Sequence, residues 1–149
     1  MDPIALKDVG TLVGQEVGVS DWVEVSQERV NQFAEATGDF QWIHVDVERA
    51  NREIGGPIAH GYLTLSLIPY LSAGLVPLTG VTRGINYGSD KVRFTNMVRV
   101  GKRVRLRQKL LTAEAKSGGV QLKYLCTIEI EGEERPACVA ETITVLYGA

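Results

Sequence analysis

The sequence contains only two histidines and two cysteines, and neither sign of charge is in clear excess. A formal net charge of -2 gives no general attraction to nucleic acid or to an anionic membrane surface, so neither partner is expected. Cys126 and Cys138 lack the CxxC spacing of a metal site and fall in strand-like runs, which predicts buried reduced thiols. Residues 1–10 lack the basic segment and apolar core of a signal peptide. We therefore expect a cytoplasmic protein.

The length of the chain is typical of one domain, so we expect residues 1–149 to fold as a unit. One segment, 58–78, is nearly free of charge and about long enough to cross a bilayer. It contains His60, Pro69 and Pro77, and no basic cluster flanks it closely. A helix buried in the protein explains this segment better than a membrane span does.

The first half of the chain predicts one strand followed by short helices. Residues 17–25 alternate in part, which predicts a strand that ends at Ser26. Ser26 is a typical helix N-cap, and apolar residues recur at helical spacing over 27–37 until Gly38 stops the pattern. After a loop that begins at Asp39, Asp46 is the candidate cap of a second helix over 47–53.

The second half predicts one long apolar helix and then a sheet. The helix begins near His60 and continues to Leu75, with a kink or an early end at Pro69, which cannot donate a backbone hydrogen bond. The pattern then changes to period two, with strands expected over 82–94, 103–111, 120–130 and 137–147. Short connections imply antiparallel pairing. The fold class is therefore α+β, with an antiparallel sheet curled around one long buried helix.

The segment around His44 is the first candidate for chemistry. Asp39 and His44 are too far apart in sequence to share one face of a helix, so they can converge only if the segment curls as a loop. A carboxylate and an imidazole that converge can hold one water, one group taking its proton and the other delivering a proton to a nearby carbon. The alternative is that Asp39 only forms an Asx turn and His44 is a structural histidine.

The start of the long helix is the second candidate. The first N–H groups of a helix are unsatisfied and positively polarised, and a glycine lets a carbonyl approach closely, so the N–H of Gly61 can form an oxyanion hole. The alternative is that Gly61 only permits tight packing of the helix. His60 is expected to fix the start of the helix, and Ser66 either bonds to its own helix or orients a polar group of the site.

Several segments share a pattern with a known family: 33–39 (FAEATGD), His44, Ala50, 58–63 (IAHGYL), Ser66, 86–88 (NYG) and 91–94 (KVRF). Together they resemble the MaoC-like (R)-specific enoyl-CoA hydratase family. The resemblance implies the hotdog fold, in which an antiparallel sheet wraps around a long central helix. It also implies that Asp39 and His44 activate the water and that the N–H of Gly61 receives the thioester oxygen.

The reaction that the resemblance implies is reversible syn addition of water to a trans-2-enoyl thioester, a step typical of fatty acid metabolism. The expected partner is an acyl-CoA or an acyl-carrier-protein thioester, and the expected assembly is a homodimer. No metal or cofactor is expected, because coenzyme A is part of the substrate. Where the family commonly has Asn-Pro, this chain has Gln41 and Trp42. These two residues, with Tyr62 and Ser66, are the expected substrate contacts.

Two other functions remain open at this point. A hotdog thioesterase could use Asp39 and the helix terminus to direct water at the thioester carbonyl carbon. A non-catalytic acyl-binding subunit of a dehydratase heterodimer would need neither Asp39 nor His44, and their presence argues against it. A basic row on the strand 103–111 either meets the phosphates of coenzyme A or, as we favour, forms a solvated sheet face.

Overall fold

The computed structural model describes residues 1–148. The N-terminal part consists of strand β1 (Ile4–Ala5), a 3₁₀ helix (Leu6–Leu12), strand β2 (Glu16–Val19) and strand β3 (Val23–Glu24). The expected single strand over 17–25 is therefore wrong, because β2 and β3 are separate strands that both pair with β6 (Arg103–Lys116). Between them the hydroxyl of Ser20 accepts the N–H of Leu106 at 2.9 Å, so a side-chain oxygen takes the place of a backbone carbonyl as the acceptor.

Three helices follow, and their ends obey local capping rules. Helix α1 (Gln27–Thr37) begins where the Ser26 hydroxyl accepts the N–H of Arg29, and it ends at Gly38 in the left-handed region. Helix α3 (Val47–Ile54) is capped by the Asp46 carboxylate in the same way. These two predictions are confirmed. The loop expected between them also contains one helical turn, α2 (Trp42–Val45).

The long central helix is in fact two short helices, α4 (Gly61–Ser66) and α5 (Ile68–Ser72). The prediction of one continuous helix to Leu75 is wrong, whereas the kink or early end expected near Pro69 is confirmed. Pro69 has no N–H to donate, so it is accommodated in the first turn of a new helix rather than in the interior of an old one. Among residues 1–148, no helix is long and apolar enough to cross a membrane.

The remaining strands are β4 (Leu78–Thr79), β5 (Val81–Arg93), β6, β7 (Gly119–Ile130) and β8 (Cys138–Gly148). The main sheet has the order β2-β6-β7-β8-β5 and is antiparallel throughout, as expected, while β1 and β4 form a small parallel pair. Ser117 and Gly118 form the tight turn between β6 and β7, both with positive φ, as a two-residue hairpin requires.

Strand β5 forms one edge of the sheet and is exposed along almost its whole length. Its pairing with β8 shifts register three times, at the steps Val81/Arg83, Asn86/Gly88 and Ser89/Lys91. A Cβ at Gly84 would lie 2.8 Å from the Leu146 side chain, so this glycine permits a close approach of the two strands. Glycine inside a strand often marks a bulge or a close backbone approach, and β5 shows both.

The core lies between the inner face of the sheet and the α4–α5 pair. Leu63, Leu67 and Leu71 pack in one cluster with buried sheet residues such as Leu106 and Ile128. The sheet therefore wraps around the broken helix, and the α+β hotdog arrangement is confirmed. Cys126 and Cys138 are buried free thiols on this inner face, also as expected.

The basic row on β6 belongs to the outer face of the sheet. Arg105 pairs with Glu129 at 2.8 Å, Arg107 pairs with Glu16 at 2.7 Å, and Arg103 pairs with Glu131. Because neighbouring carboxylates already neutralise these guanidinium groups, the row supports the solvated-face interpretation rather than a binding site for phosphates.

Candidate active site

Asp39 lies in the short loop between α1 and α2. Helix α1 must end at Gly38, so the chain turns there and Asp39 is left exposed. One carboxylate oxygen of Asp39 accepts the N–H of Gln41 at 3.3 Å, which forms the Asx turn that leads into α2. Asp39 thus does form the Asx turn, and among residues 1–148 no donor is bonded to its second carboxylate oxygen.

His44 is turned inward by helix α2 and is only 6% exposed. Its Nδ1 lies 2.6 Å from the carbonyl oxygen of Ile58, so Nδ1–H donates and the lone pair of the neutral ring is on Nε2. The backbone carbonyl of His44 accepts a hydrogen bond from Gln27 in α1 at 2.8 Å, which fixes α2 against α1. The ring is therefore held in one orientation and one tautomer, with Nε2 available.

Burial lowers the pKa of His44, although the hydrogen bond to Ile58 and the charge of Asp39 act in the opposite direction. His60 adds to the lowering. The imidazole of the folded protein is therefore neutral at neutral pH, and a neutral ring can accept a proton from water.

His60, the residue before α4, contacts both Asp39 and His44. Its Nε2 lies 3.0 Å from the backbone oxygen of Asp39, and its ring stacks on that of His44 with centroids 3.8 Å apart. Its own carbonyl accepts the N–H groups of Leu63 and Thr64, the first turn of the helix. His60 is 2% exposed, so it fixes the helix start and supports the Asp39–His44 pair at the same time.

A carboxylate oxygen of Asp39 and one ring nitrogen from each histidine lie within 4.8 Å of one another. Three such groups can bind a metal ion, but two histidines that share a metal must direct their ring planes at one point. The planes of His44 and His60 are inclined by only 22° and are stacked face to face, so they do not converge in that way. We do not assign a metal to this cluster.

Gly61 is the first residue of α4 and packs under an aromatic ring. A Cβ at this position would lie 3.1 Å from the ring of Phe94, so the glycine does allow tight packing. Among residues 1–148, no acceptor is hydrogen-bonded to its N–H. The packing interpretation of Gly61 is therefore supported by the contact with Phe94. Its backbone N–H lies outside that contact, so the oxyanion hole stays a prediction for this donor.

The four predicted substrate contacts do not lie in one place: one lines a cavity and the others lie at or near the surface. Ser66 lines a cavity of about 660 Å³ between the α4–α5 pair and the sheet, and no intrahelical bond from its hydroxyl is found in the part described. Tyr62 is 70% exposed with its ring edge-on to Phe94. Gln41 is exposed at the start of α2, and the Trp42 ring stacks with the Arg49 guanidinium at 4.1 Å.

The acid sensitivity of folding follows from the state of His44. The unfolded histidine binds a proton as the pH falls below about 6.5, whereas the buried ring resists it, so the free energy of unfolding is expected to decrease between pH 7.5 and 5.5. The slope contributed by one group is at most about 1.4 kcal/mol per pH unit. In His44→Asn, which retains an N–H for Ile58, urea titrations at several pH values should give a flatter dependence. Equal slopes in the two proteins would contradict this assignment.

Comparison with known proteins shows to which family this chain is related. The family model described as "MaoC like domain" matches residues 8–125, which is most of the sequence. The chain belongs to the MaoC-like family. The 3-hydroxyacyl-thioester dehydratase Z of Mycobacterium tuberculosis (strain H37Rv) is 49% identical to this chain over 141 residues, which cover 93% of each of the two chains.

Solved structures of two (R)-hydratases have the same fold as this chain. The (R)-hydratase from A. caviae involved in PHA biosynthesis is 25% identical, with a TM-score of 0.70 over 89% of this chain and 94% of that one. The R-hydratase PhaJ1 from Pseudomonas aeruginosa is 22% identical, with a TM-score of 0.74 over 92% and 83%. The family resemblance read from the sequence is thereby confirmed.

Proposed function

We propose that this protein is an (R)-specific enoyl-thioester hydratase, which in the reverse direction is a 3-hydroxyacyl-thioester dehydratase. The observation that carries the proposal is the convergence of the Asp39 carboxylate with the His44 ring in a chain of the MaoC-like family. The protein is a hydro-lyase of the dehydratase type. The names of the relatives agree, since they include a 3-hydroxyacyl-thioester dehydratase and two (R)-hydratases.

The proposed mechanism places one water between Asp39 and His44. The free carboxylate oxygen of Asp39 and Nε2 of His44 each accept a hydrogen bond from it, so the water oxygen is directed at C3 of the enoyl thioester. The pair removes one proton from the water as the C3–O bond forms and returns a proton to C2. The hydroxyl group and the proton reach C3 and C2 from the same side of the double bond, which gives syn addition.

The N–H of Gly61 supplies the second half of the proposed chemistry. As the oxygen adds to C3, electrons move toward the thioester oxygen and an enolate-like charge develops there. A backbone donor without another acceptor stabilises this charge more than it stabilises the uncharged substrate. The close contact between Gly61 and Phe94 keeps the start of the helix in place.

The test is to mix purified protein with crotonyl-CoA and follow loss of the enoyl-thioester absorbance. We expect hydration, and chiral analysis should identify the product as the (R)-3-hydroxy thioester. Release of free thiol without a hydroxyacyl product would favour the thioesterase instead. Absence of turnover on crotonyl-CoA and on longer enoyl-CoA substrates would contradict catalysis and support the acyl-binding subunit.

The proposed partner protein is a second copy of this chain. Within residues 1–148, strand β5 pairs on one side only, with β8, and the exposed side chains of Ile85 and Tyr87 lie on this edge strand. Pairing of two such edges would bury these apolar groups and complete the backbone ladder. Light scattering should then give twice the chain mass of 16.3 kDa. We also propose a cytoplasmic location, which the two buried free thiols favour.

A further inference from the structure

The cavity that Ser66 lines has a polar patch on the wall formed by the sheet. One wall of the cavity comes from α4 and α5, including Leu65 and Ile68, and the other comes from β5 to β8, including Leu122 and Leu146. Ser66 is the last residue of the helix that Gly61 begins, so the cavity lies about 7 Å along α4 from the proposed oxyanion hole. A thioester bound at Gly61 can therefore direct its acyl chain into this space.

Gln108 interrupts an otherwise apolar row. The inward-facing residues of β6 are Val104, Leu106, Gln108 and Leu110, and the three apolar members are completely buried. Gln108 is 5% exposed and lines the cavity. A carboxamide in such a position destabilises the protein unless its donors and acceptor are hydrogen-bonded. Gln108 therefore needs hydrogen-bonding partners among the groups that surround it.

The protein itself provides only a weak partner for Gln108. Within residues 1–148 its side chain bonds to Cys126 Sγ, with Nε2 3.6 Å from the sulfur, and the same sulfur lies 3.4 Å from the hydroxyl of Thr142. Sulfur is a poor acceptor, and a carboxamide has a second N–H and two oxygen lone pairs to satisfy. The remaining hydrogen-bonding capacity is available to a group in the cavity.

Two neighbouring side chains extend the patch. Tyr124 on β7 is directly opposite Thr142 on β8, and it is two residues from Cys126, the cross-strand partner of Gln108. All three residues, Gln108, Tyr124 and Thr142, line the cavity. Burial raises the pKa of Tyr124 to about 12, so its phenol stays protonated and can donate. Three adjacent strands thus present a carboxamide, a phenol and an alcohol to one region.

We propose that the patch formed by Gln108, Tyr124 and Thr142 binds a neutral oxygen-bearing group, a hydroxyl or a ketone, on the distal part of the substrate's acyl chain. This inference rests on the proposed function, because it assumes that the acyl chain enters the cavity. Among the described residues that line the cavity, none is charged, so the patch matches a neutral oxygen and not a carboxylate. The specificity of the enzyme is then for oxygenated acyl chains rather than for plain alkyl chains.

The experiment measures binding instead of turnover, so that it does not depend on the hydration step. Dissociation constants are determined by calorimetry for hexanoyl-, octanoyl- and decanoyl-CoA and for the matching thioesters that carry a terminal hydroxyl. For at least one length, the wild-type protein should bind the hydroxylated chain more tightly than the alkyl chain. In Gln108→Leu this preference should decrease by roughly 10-fold, because a buried hydrogen bond is lost while apolar surface is gained. Thr142→Val should change the preference in the same direction.

The matched control is Gln121→Leu, the same substitution on the opposite face of β7, where Leu122 is the inward residue. It should leave the preference as it is in the wild type. If Gln108→Leu weakens both members of every pair equally, Gln108 contacts the pantetheine arm or supports the fold, and the proposal is overturned. Equal affinities for both chains in the wild type would overturn it as well. If no acyl-CoA binds, it is the proposed function that fails.

Discussion

Asp39→Asn and His44→Asn are each expected to lower kcat for hydration by about 10²–10⁴-fold, the usual contribution of a positioned acid–base group. Both changes are designed to spare the fold. Asparagine at position 39 keeps an oxygen that can accept the N–H of Gln41, and asparagine at position 44 keeps an N–H for the carbonyl of Ile58. What is lost is the charge of Asp39 and the Nε2 lone pair of His44, which are the two groups that hold the proposed water.

The double variant provides a sharper test of joint action. If both residues act on one water, removing the second after the first should cost little more, so the losses should be far from additive. Asp46→Asn is the matched control, since Asp46 is also an exposed aspartate that accepts a backbone N–H, in this case that of Arg49. It should hydrate at close to the wild-type rate. Activity within a few-fold of wild type in Asp39→Asn would exclude the carboxylate from the chemistry.

Gly61→Pro is expected to lower kcat by about 10²–10³-fold, the effect of removing one oxyanion-hole donor, whereas Gly61→Ala should have a smaller effect. Proline is compatible with the first position of a helix, and the extended backbone of His60, with φ of -60° and ψ of 138°, is the conformation that precedes a proline. Both variants add a Cβ against Phe94, but only proline removes the N–H.

The comparison between the two variants separates packing from catalysis. If the contact with Phe94 is all that matters, alanine and proline should reduce kcat to a similar extent and should lower the unfolding temperature in parallel. If the N–H binds the thioester oxygen, kcat should differ between them by more than the thermal stabilities predict. Steady-state kinetics with crotonyl-CoA and thermal unfolding of the same samples supply both measurements.

The helices around the site are predictable from the sequence because short-range interactions determine their ends. Ser26 and Asp46 each cap the helix that follows, and Gly38 ends α1 wherever the rest of the chain goes. The strands beyond Pro77 are predictable for a similar reason, since alternation over a long segment determines which side chains face inward. These local signals are sufficient to place Asp39 in a loop and Gly61 at a helix start.

Contacts between distant segments are less predictable. The sequence places His60 only at a helix start, but in the fold its ring stacks on His44 and its Nε2 meets the carbonyl of Asp39. Phe94, which directly follows β5, contacts Gly61 from far along the chain. Gln108 did carry a signal, because it is a polar residue in an inward row, yet its proximity to Tyr124 and Thr142 depends on strand register, which periodicity alone does not determine.

The irregular edge of β5 has a consequence for how the protein behaves at high concentration. A long, flat and apolar strand edge is a template for open-ended stacking of copies into fibrils. Here Arg83, Asp90, Lys91 and Arg93 are spread along the edge, and three register shifts distort its ladder. Such an edge is a poor template for repeated addition. We therefore expect concentrated solutions of this protein to resist amyloid-type aggregation, even in molecules whose β5 edge is not paired with that of a second copy.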